Sequence, residues 1–265
     1  MRFCRRPFLL ALAVLLFLPG LQAETKPLIR TLDPPPQSLL WVGNSFFYYN
    51  NSLHNHFGQL VAAAGKRVRG ISSTISGAGL DWHDMASLLR PQGLGRYTIG
   101  RNNEVRFHPE SRTFDAAIMM DCSQCPIHPQ LQADFHAAVR KQSQLLKQQG
   151  VRPVLFMSWS YKDKPEMGAQ LAEQYTLAGN ANEALVIPAG LAFARVMAAH
   201  PTIDLYTADL RHPSLAGTYL AACTAYAALY GQSPQGLNYT AGLDPATAEV
   251  LQQAAWAAVV SFFAP

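Results

Sequence analysis

The stretch Leu39-Leu40-Trp41-Val42-Gly43-Asn44-Ser45-Phe46-Phe47-Tyr48-Tyr49-Asn50 decides how this chain is read. Four consecutive large apolar residues bounded by a glycine predict a short strand covered on both faces. Gly43 admits a tight turn. Asn44 and Ser45 follow where the strand runs out, and two readings are open. In one they simply cap the next helix, as Asn and Ser do at helix N-termini. In the other Ser45 stands at the ligand-binding edge of a sheet, where backbone N–H groups of the turn can face an oxyanion.

Working outward, short apolar runs alternate with longer helical patterns. Strands are predicted at Arg67 to Ile75, Phe114 to Met120, Val154 to Ser158, Ala184 to Ile187 and Ile203 to Tyr206. Helices are predicted at Leu53 to Ala64, Leu80 to Leu89, Pro129 to Gln149, Glu166 to Ala178, Leu191 to Ala199, Leu215 to Tyr230 and Pro245 to Phe263. Several end at Gly or Pro, as helices do. Residues 91–113 lack a clear period, with Glu104 to Phe107 as a possible hairpin arm. Strand–helix alternation of this kind predicts an α/β chain: a mostly parallel central sheet with helices on both faces, a three-layer α/β/α sandwich. No repeat or internal linker divides it, so residues 38–265 are read as one domain.

The chain opens with an export pattern. Arg2, Arg5 and Arg6 precede an apolar run from Pro7 to Leu18, and a small residue follows at Ala23. The run is about 12 residues, short of the roughly 20 needed to span a bilayer, so residues 1–23 read as a signal peptide. An exported, periplasmic or extracellular protein follows, with no stable membrane insertion once the signal is removed. Residues 24–37, with Pro34-Pro35-Pro36, read as an extended, partly mobile lead-in. The chain holds 21 basic and 17 acidic residues. Setting aside the three signal arginines leaves 18 against 17, a net charge of about +1 that gives no electrostatic case for a nucleic-acid partner.

A second informative string is Asp209-Leu210-Arg211-His212-Pro213-Ser214. A serine is a weak nucleophile that needs a base, and the base needs an orienting carboxylate. Asp209 and His212 on one loop can supply both; alternatively they are two exposed loop residues. Together, Gly43-Asn44-Ser45 near one end and Asp209-x-x-His212 near the other resemble the first and last blocks of the SGNH (GDSL-like) hydrolase superfamily. The fuller strings LLWVGNSFFYYNN and LYTADLRHPSLAGTYLAACTAYAALYGQSP are similar to a branch of it that opens Gly-Asn-Ser-Phe.

The resemblance implies a flavodoxin-like sandwich and a triad of Ser45, His212 and Asp209. It also implies an oxyanion site built from the N–H groups of Ser45 and Gly77, with Gly79 as the alternative glycine. The third block departs from the pattern. Typical members follow the central strand with Gly-x-Asn-Asp, whose asparagine is an oxyanion donor. This chain has Asp121-Cys122-Ser123-Gln124-Cys125-Pro126. Gln124 is the predicted replacement donor, and Ser123 is the alternative.

Other signals rank lower. In an oxidising compartment Cys122-x-x-Cys125 reads as a local disulfide rather than a redox centre, and Cys223 as a buried small hydrophobe. His54 and His56 are two apart and do not share a helix face, so no metal site is predicted. Trp82, His83 and Trp159 either rim a pocket or pack in the core. The implied activity is an exported esterase cleaving small acyl groups from a small-molecule or carbohydrate ester, with no cofactor. The same scaffold would suit an envelope glycan O-acyltransferase, or a non-catalytic carbohydrate-binding or assembly protein.

Overall fold

A computed structural model describes residues 25–90, 97–99, 102, 104–107 and 114–265. The predicted signal, 1–23, and most of 91–113 lie outside the described residues. In chain order the described elements are β1 (Ser38–Gly43), α1 (Ser45–Tyr48), α2 (Leu53–Ala63), β2 (Arg69–Thr74), α3 (Met85–Leu88), β3 (Tyr97–Ile99), β4 (Val105–Phe107) and β5 (Ala116–Met119). They continue with α4 (Gln132–Gln148), β6 (Arg152–Phe156), α5 (Met167–Ala181), β7 (Leu185–Ile187), α6 (Ala189–Ala199), α7 (Leu215–Tyr230) and α8 (Pro245–Phe262).

The five longer-range strands form one sheet in the order β2-β1-β5-β6-β7, with every pair parallel. The register sets Leu40 between Ile71 of β2 and Ala117 of β5. This central position explains the unbroken apolar run of β1, whose residues Leu39 to Val42 are essentially solvent-free. Helices α4 and α5 pack together and against β6, while α2, α6, α7 and α8 pack among themselves. The architecture is a three-layer α/β/α sandwich with a parallel centre. Numbered along this sheet, the strand order is the doubly wound 2-1-3-4-5, which reverses direction between β1 and β5 and so opens a crevice at their carboxyl ends.

Helix α7 is buried from Ala216 through Leu229. Such a helix needs apolar or small residues on every side, which explains its alanines. Its N-terminus approaches the preceding loop so closely that a Cβ on Gly217 would lie 2.3 Å from the Leu205 carbonyl oxygen. Helix α8 starts at the cap Asp244, whose carboxylate accepts from Thr247 N at 2.9 Å, with Pro245 in the first turn.

Three local expectations change. Ile203 to Tyr206 is not a strand: Tyr206 makes only an isolated bridge to Pro213. The backbone there bonds within its own loop, with Ser214 N donating to Leu205 O at 2.9 Å, and local turn chemistry wins over sheet pairing. Leu80 to Leu89 is not one helix. It is a 3-10 turn at Leu80–Trp82 and then α3, separated by extended His83 and the helix cap Asp84. The lead-in 25–37 has neither helix nor strand apart from its junction with β1, yet it is fastened to α5. Thr25 N donates to the Glu173 carboxylate at 3.0 Å, and Leu28 N donates to Asn180 at 2.8 Å. The hairpin arm at Glu104 to Phe107 is present as β4, antiparallel to β3. No helix among the described residues is long and apolar enough to cross a membrane.

The Gly217 approach yields a stability prediction. Gly217→Ala should lower unfolding free energy by about 1–3 kcal/mol, because backbone must shift to admit the methyl group. Gly58→Ala, in α2 with nothing within 4 Å of the added Cβ, should raise it by about 0.5–1 kcal/mol. Denaturant unfolding of the two variants beside the unsubstituted protein checks both signs.

Candidate active site

Ser45 is the first residue of α1, directly after β1, and it is largely buried. Asn44 caps that short helix: its Oδ1 accepts from Phe46 N at 3.2 Å. The same side chain does more than cap. Its Nδ2 donates to the carbonyl of Ala78 at 3.0 Å and to that of Asp121 at 3.2 Å. Asn44 therefore ties the loop after β1 to the loop after β2 and to the loop after β5. Leaving such buried carbonyls unpaired would cost about 1–3 kcal/mol each.

The loop after Tyr206 brings the second string to the same place. Ser45 Oγ lies 2.7 Å from His212 Nε2. His212 Nδ1 in turn contacts Asp209 Oδ2. With a neutral imidazole, Nδ1–H donates to the carboxylate and leaves Nε2 free to accept the Ser45 hydroxyl proton. Asp209 Oδ1 accepts from Arg211 N and His212 N at 2.9 Å each, and from Thr207 Oγ1 at 2.8 Å. Partial desolvation opposes its charge. The hydrogen bonds from His212, from the two backbone N–H groups and from Thr207 outweigh that and hold its pKa well below the usual carboxylate range. Leu210 takes a left-handed φ of 64°, which lets the loop fold round the carboxylate.

Aromatic packing fixes the imidazole. The Tyr49 ring stacks on His212 at 4.4 Å and nearly parallel, and Phe46 lies 5.3 Å away on a tilt. Phe46 stacks on Trp159, which stacks on Phe193 at 4.1 Å. Trp159 is thus core rather than rim, and its Nε1–H donates to the Arg211 carbonyl at 3.0 Å. Asn50 braces the far side: its Nδ2 donates to Pro213 O and to Thr218 Oγ1, each at 2.8 Å. Asn50 is also the first of three residues with positive φ, Asn50-Asn51-Ser52, a conformation that asparagine tolerates better than most.

A cleft of about 230 Å³ opens over Ser45. It is lined by Asn44, Ser45, Phe46, Ser76, Gly77, Cys122, Ser123, Tyr161, Arg211 and His212. The N–H groups of Ser45 and Gly77 donate to no backbone carbonyl among the described residues. Gly77 has φ of 70°, a left-handed turn that favours glycine. Gly79 instead sits beneath the loop, where a Cβ would crowd the Asp81 and Asp121 carboxylates. Of the two candidate glycines only Gly77 lines the cleft.

Beyond β5, Cys122 and Cys125 are joined in a disulfide with Cα atoms 5.2 Å apart. The crosslink curls residues 122–125 tightly. Ser123 faces the cleft and its Oγ lies 2.8 Å from the Tyr161 hydroxyl. Gln124, predicted as the side-chain donor, is displaced: it starts the 3-10 turn at Cys125–Ile127 and lies outside the cleft lining. Asp121 is buried at the root of this loop. Its Oδ1 accepts from Leu80 N at 3.1 Å and Cys122 N at 2.6 Å. Burial pushes its pKa up, and the two N–H donors pull it only part of the way back.

Other flagged residues have structural partners. His56 is buried between the Asn50 carbonyl and the Tyr239 hydroxyl, and His54 meets the Ser52 hydroxyl. His83 is buried while Trp82 is exposed. Cys223 is buried, and desolvation pushes its thiol pKa up. The potential metal ligands that come together among the described residues are Asp121, Cys122 and Cys125. With the two sulfurs bonded to each other, no thiolate is available there. Sequence reasoning gave no role to Tyr161, or to Tyr49 and Thr207 within the quoted strings, and saw Asn44 only as a cap.

The chain has the fold of the SGNH hydrolases, and a serine, a histidine and an aspartate converge at the switch point of its sheet. It is similar in structure to a DUF4886 family protein from Bacteroides uniformis, with a TM-score of 0.65 and 20% identity over 84% of this chain and 94% of that one. A protein from Slackia heliotrinireducens named for the SGNH hydrolases matches with a TM-score of 0.51 and 23% identity, over 73% of this chain and 98% of that one. The acetylxylan esterase Axe2 from Geobacillus stearothermophilus matches with a TM-score of 0.51 and 14% identity, over 75% and 95%. No family model matches the sequence. No curated protein matches it either.

Asp121 supplies a pH prediction. A folded-state pKa raised above the unfolded value means that ionisation costs stability. The cost is absent below the unfolded pKa and grows as pH rises toward the folded pKa. Asp121→Asn keeps the Oδ1 acceptor but cannot ionise, so its stability relative to the unsubstituted protein should improve between pH 4 and pH 7. Unfolding free energies of both proteins at the two pH values test this, and the opposite trend would contradict the burial argument.

Proposed function

We propose that the protein is an exported serine esterase that removes small acyl groups by way of an acyl-enzyme. The observation that carries the reading is the 2.7 Å contact between Ser45 Oγ and His212 Nε2, with Asp209 on the other imidazole nitrogen. In this mechanism Ser45 Oγ attacks the acyl carbonyl as His212 takes its proton. The oxyanion is held by the N–H groups of Ser45 and Gly77. The leaving alcohol departs with the proton returned from His212. Water then enters with His212 again as base, and hydrolysis of the acyl group restores Ser45. Asp209, kept ionised by its three other donors, orients the imidazole and stabilises the imidazolium.

The third oxyanion donor is the Ser123 hydroxyl. Its Oγ lies 2.8 Å from the Tyr161 hydroxyl; with Tyr161 as the donor of that bond, the serine O–H is free to face the cleft. Support for a short acyl group comes from the cleft volume, which is below the roughly 300–1,000 Å³ of sites for drug-sized ligands. The esterase neighbour Axe2 supports the same reaction class by analogy of fold. Export is supported by the N-terminal signal pattern and by the Cys122–Cys125 disulfide, a bond that persists in oxidising compartments.

Turnover of p-nitrophenyl acetate, butyrate and octanoate tests the reading. The acetate should be preferred over the octanoate. Ser45→Ala should lower kcat/KM by about 10⁴-fold or more. Ser123→Ala should lower kcat by about 10²-fold, while Gln124→Ala stays within about twofold. Turnover that survives Ser45→Ala would defeat the proposal, and the reverse order of the last two variants would return the third donor to Gln124.

A further inference from the structure

Among the described residues, Arg211 is the only one lining the cleft with a fixed charge. Its guanidinium lies over the Tyr161 ring at 4.9 Å. No carboxylate forms an ion pair with it, and no acceptor takes its side-chain N–H groups, among the described residues. The neighbouring cation behaves differently: Lys162 is paired with Asp204 at 2.9 Å. Asp209, two residues before it in the chain, is engaged by His212, Thr207 and the backbone.

The backbone of Arg211 is meanwhile pinned at both ends of the residue. Its N–H donates to Asp209 Oδ1 at 2.9 Å and its carbonyl accepts from Trp159 Nε1 at 3.0 Å. The Tyr161 platform is itself buried and tied to Ser123. A planar cation is therefore held on an aromatic face at the mouth of the cleft with its five donors unspent. Stacking of this kind fixes the plane of a guanidinium while leaving its edge free for a bidentate partner.

From this we infer that Arg211 forms a subsite for an anionic group on the ester substrate, specifically a carboxylate on the alcohol half. The inference rests on the esterase reading for the location of the scissile bond. The choice of half follows from proton traffic. His212 must reach the leaving oxygen, so the alcohol half lies on the side of His212, and Arg211, one residue before it, lines the same cleft. The carboxylate oxygens accept from the guanidinium edge, and no covalent change occurs at Arg211. The substrate class is thus an acyl ester of a hydroxy acid, which includes an acylated uronic-acid sugar.

The test compares 4-acetoxybenzoate with its neutral methyl ester, methyl 4-acetoxybenzoate, as substrates for the full chain. The quantity read is the ratio of their kcat/KM values, which cancels general damage to the site. Arg211→Gln should lower that ratio about tenfold, chiefly through KM for the anion, and Arg211→Lys should recover part of it. Added salt should lower the wild-type ratio and leave that of Arg211→Gln flat. A ratio within about twofold of wild type in Arg211→Gln would overturn the subsite.

Failure of the esterase reading looks different, since neither ester would then be turned over in a Ser45-dependent way. In that case calorimetric binding of 4-hydroxybenzoate decides the subsite on its own. Binding lost in Arg211→Gln sustains it, and equal binding or none to the unsubstituted protein overturns it.

Discussion

Strand β1 pairs in parallel with β2 on one side and β5 on the other, and the site follows from that constraint. Parallel register aligns the three strands so that they end at one edge: Gly43 stands opposite Thr74, and Val42 opposite Met119. The loops that leave there must share one small space. Each contributes to the lining of one cleft: Ser45 after β1, Gly77 after β2, and Ser123 after β5. Because the chain leaves β1 for β2 and later crosses back to β5, the loops diverge at the switch point and leave a crevice rather than a packed seam.

Loops at such an edge need polar ties, since their backbone groups are buried away from water. Asn44 supplies two of these ties by bonding the carbonyls of Ala78 and Asp121. Asp121 supplies two more by accepting from Leu80 and Cys122. The disulfide then closes the third loop on itself. The histidine loop is held differently, by the Asp209 carboxylate within it and by stacking of Tyr49 and the Phe46–Trp159–Phe193 column beneath. Rigid support of this sort holds a hydroxyl and an imidazole in hydrogen-bond contact.

Much of this was legible in the sequence for a physical reason. Strands buried on both faces must be apolar throughout, so β1, β5 and β6 announced themselves. The convergence of Ser45, His212 and Asp209 was legible because the proposed roles of nucleophile, base and orienting acid are restricted to few residue types, and these three lie in recognisable strings. Ile203 to Tyr206 misled because an apolar run says nothing of whether a neighbouring strand edge is available, and here the loop satisfied its own backbone. Leu80 to Leu89 misled because extended His83 breaks the helical spacing without a Gly or Pro to mark the break. Which of Ser123 and Gln124 faces the cleft was not legible, because either of the two residues between the crosslinked cysteines can turn that way, and the closed loop places Ser123 there. Arg211 carried no signal, since an arginine in an exposed loop is ordinary until its lack of an acidic partner among the described residues is visible.

The central claim is that the proximity of Ser45 to His212 makes Ser45 a nucleophile. Its most direct measurement is intact-protein and peptide mass spectrometry after treatment with a fluorophosphonate probe. One adduct is expected, located on Ser45 and formed at least about 10²-fold more slowly in His212→Ala, because the hydroxyl is inert without its base. An adduct on another residue, or labelling of Ser45 at the same rate without His212, would contradict it, as would a chain that takes up no probe.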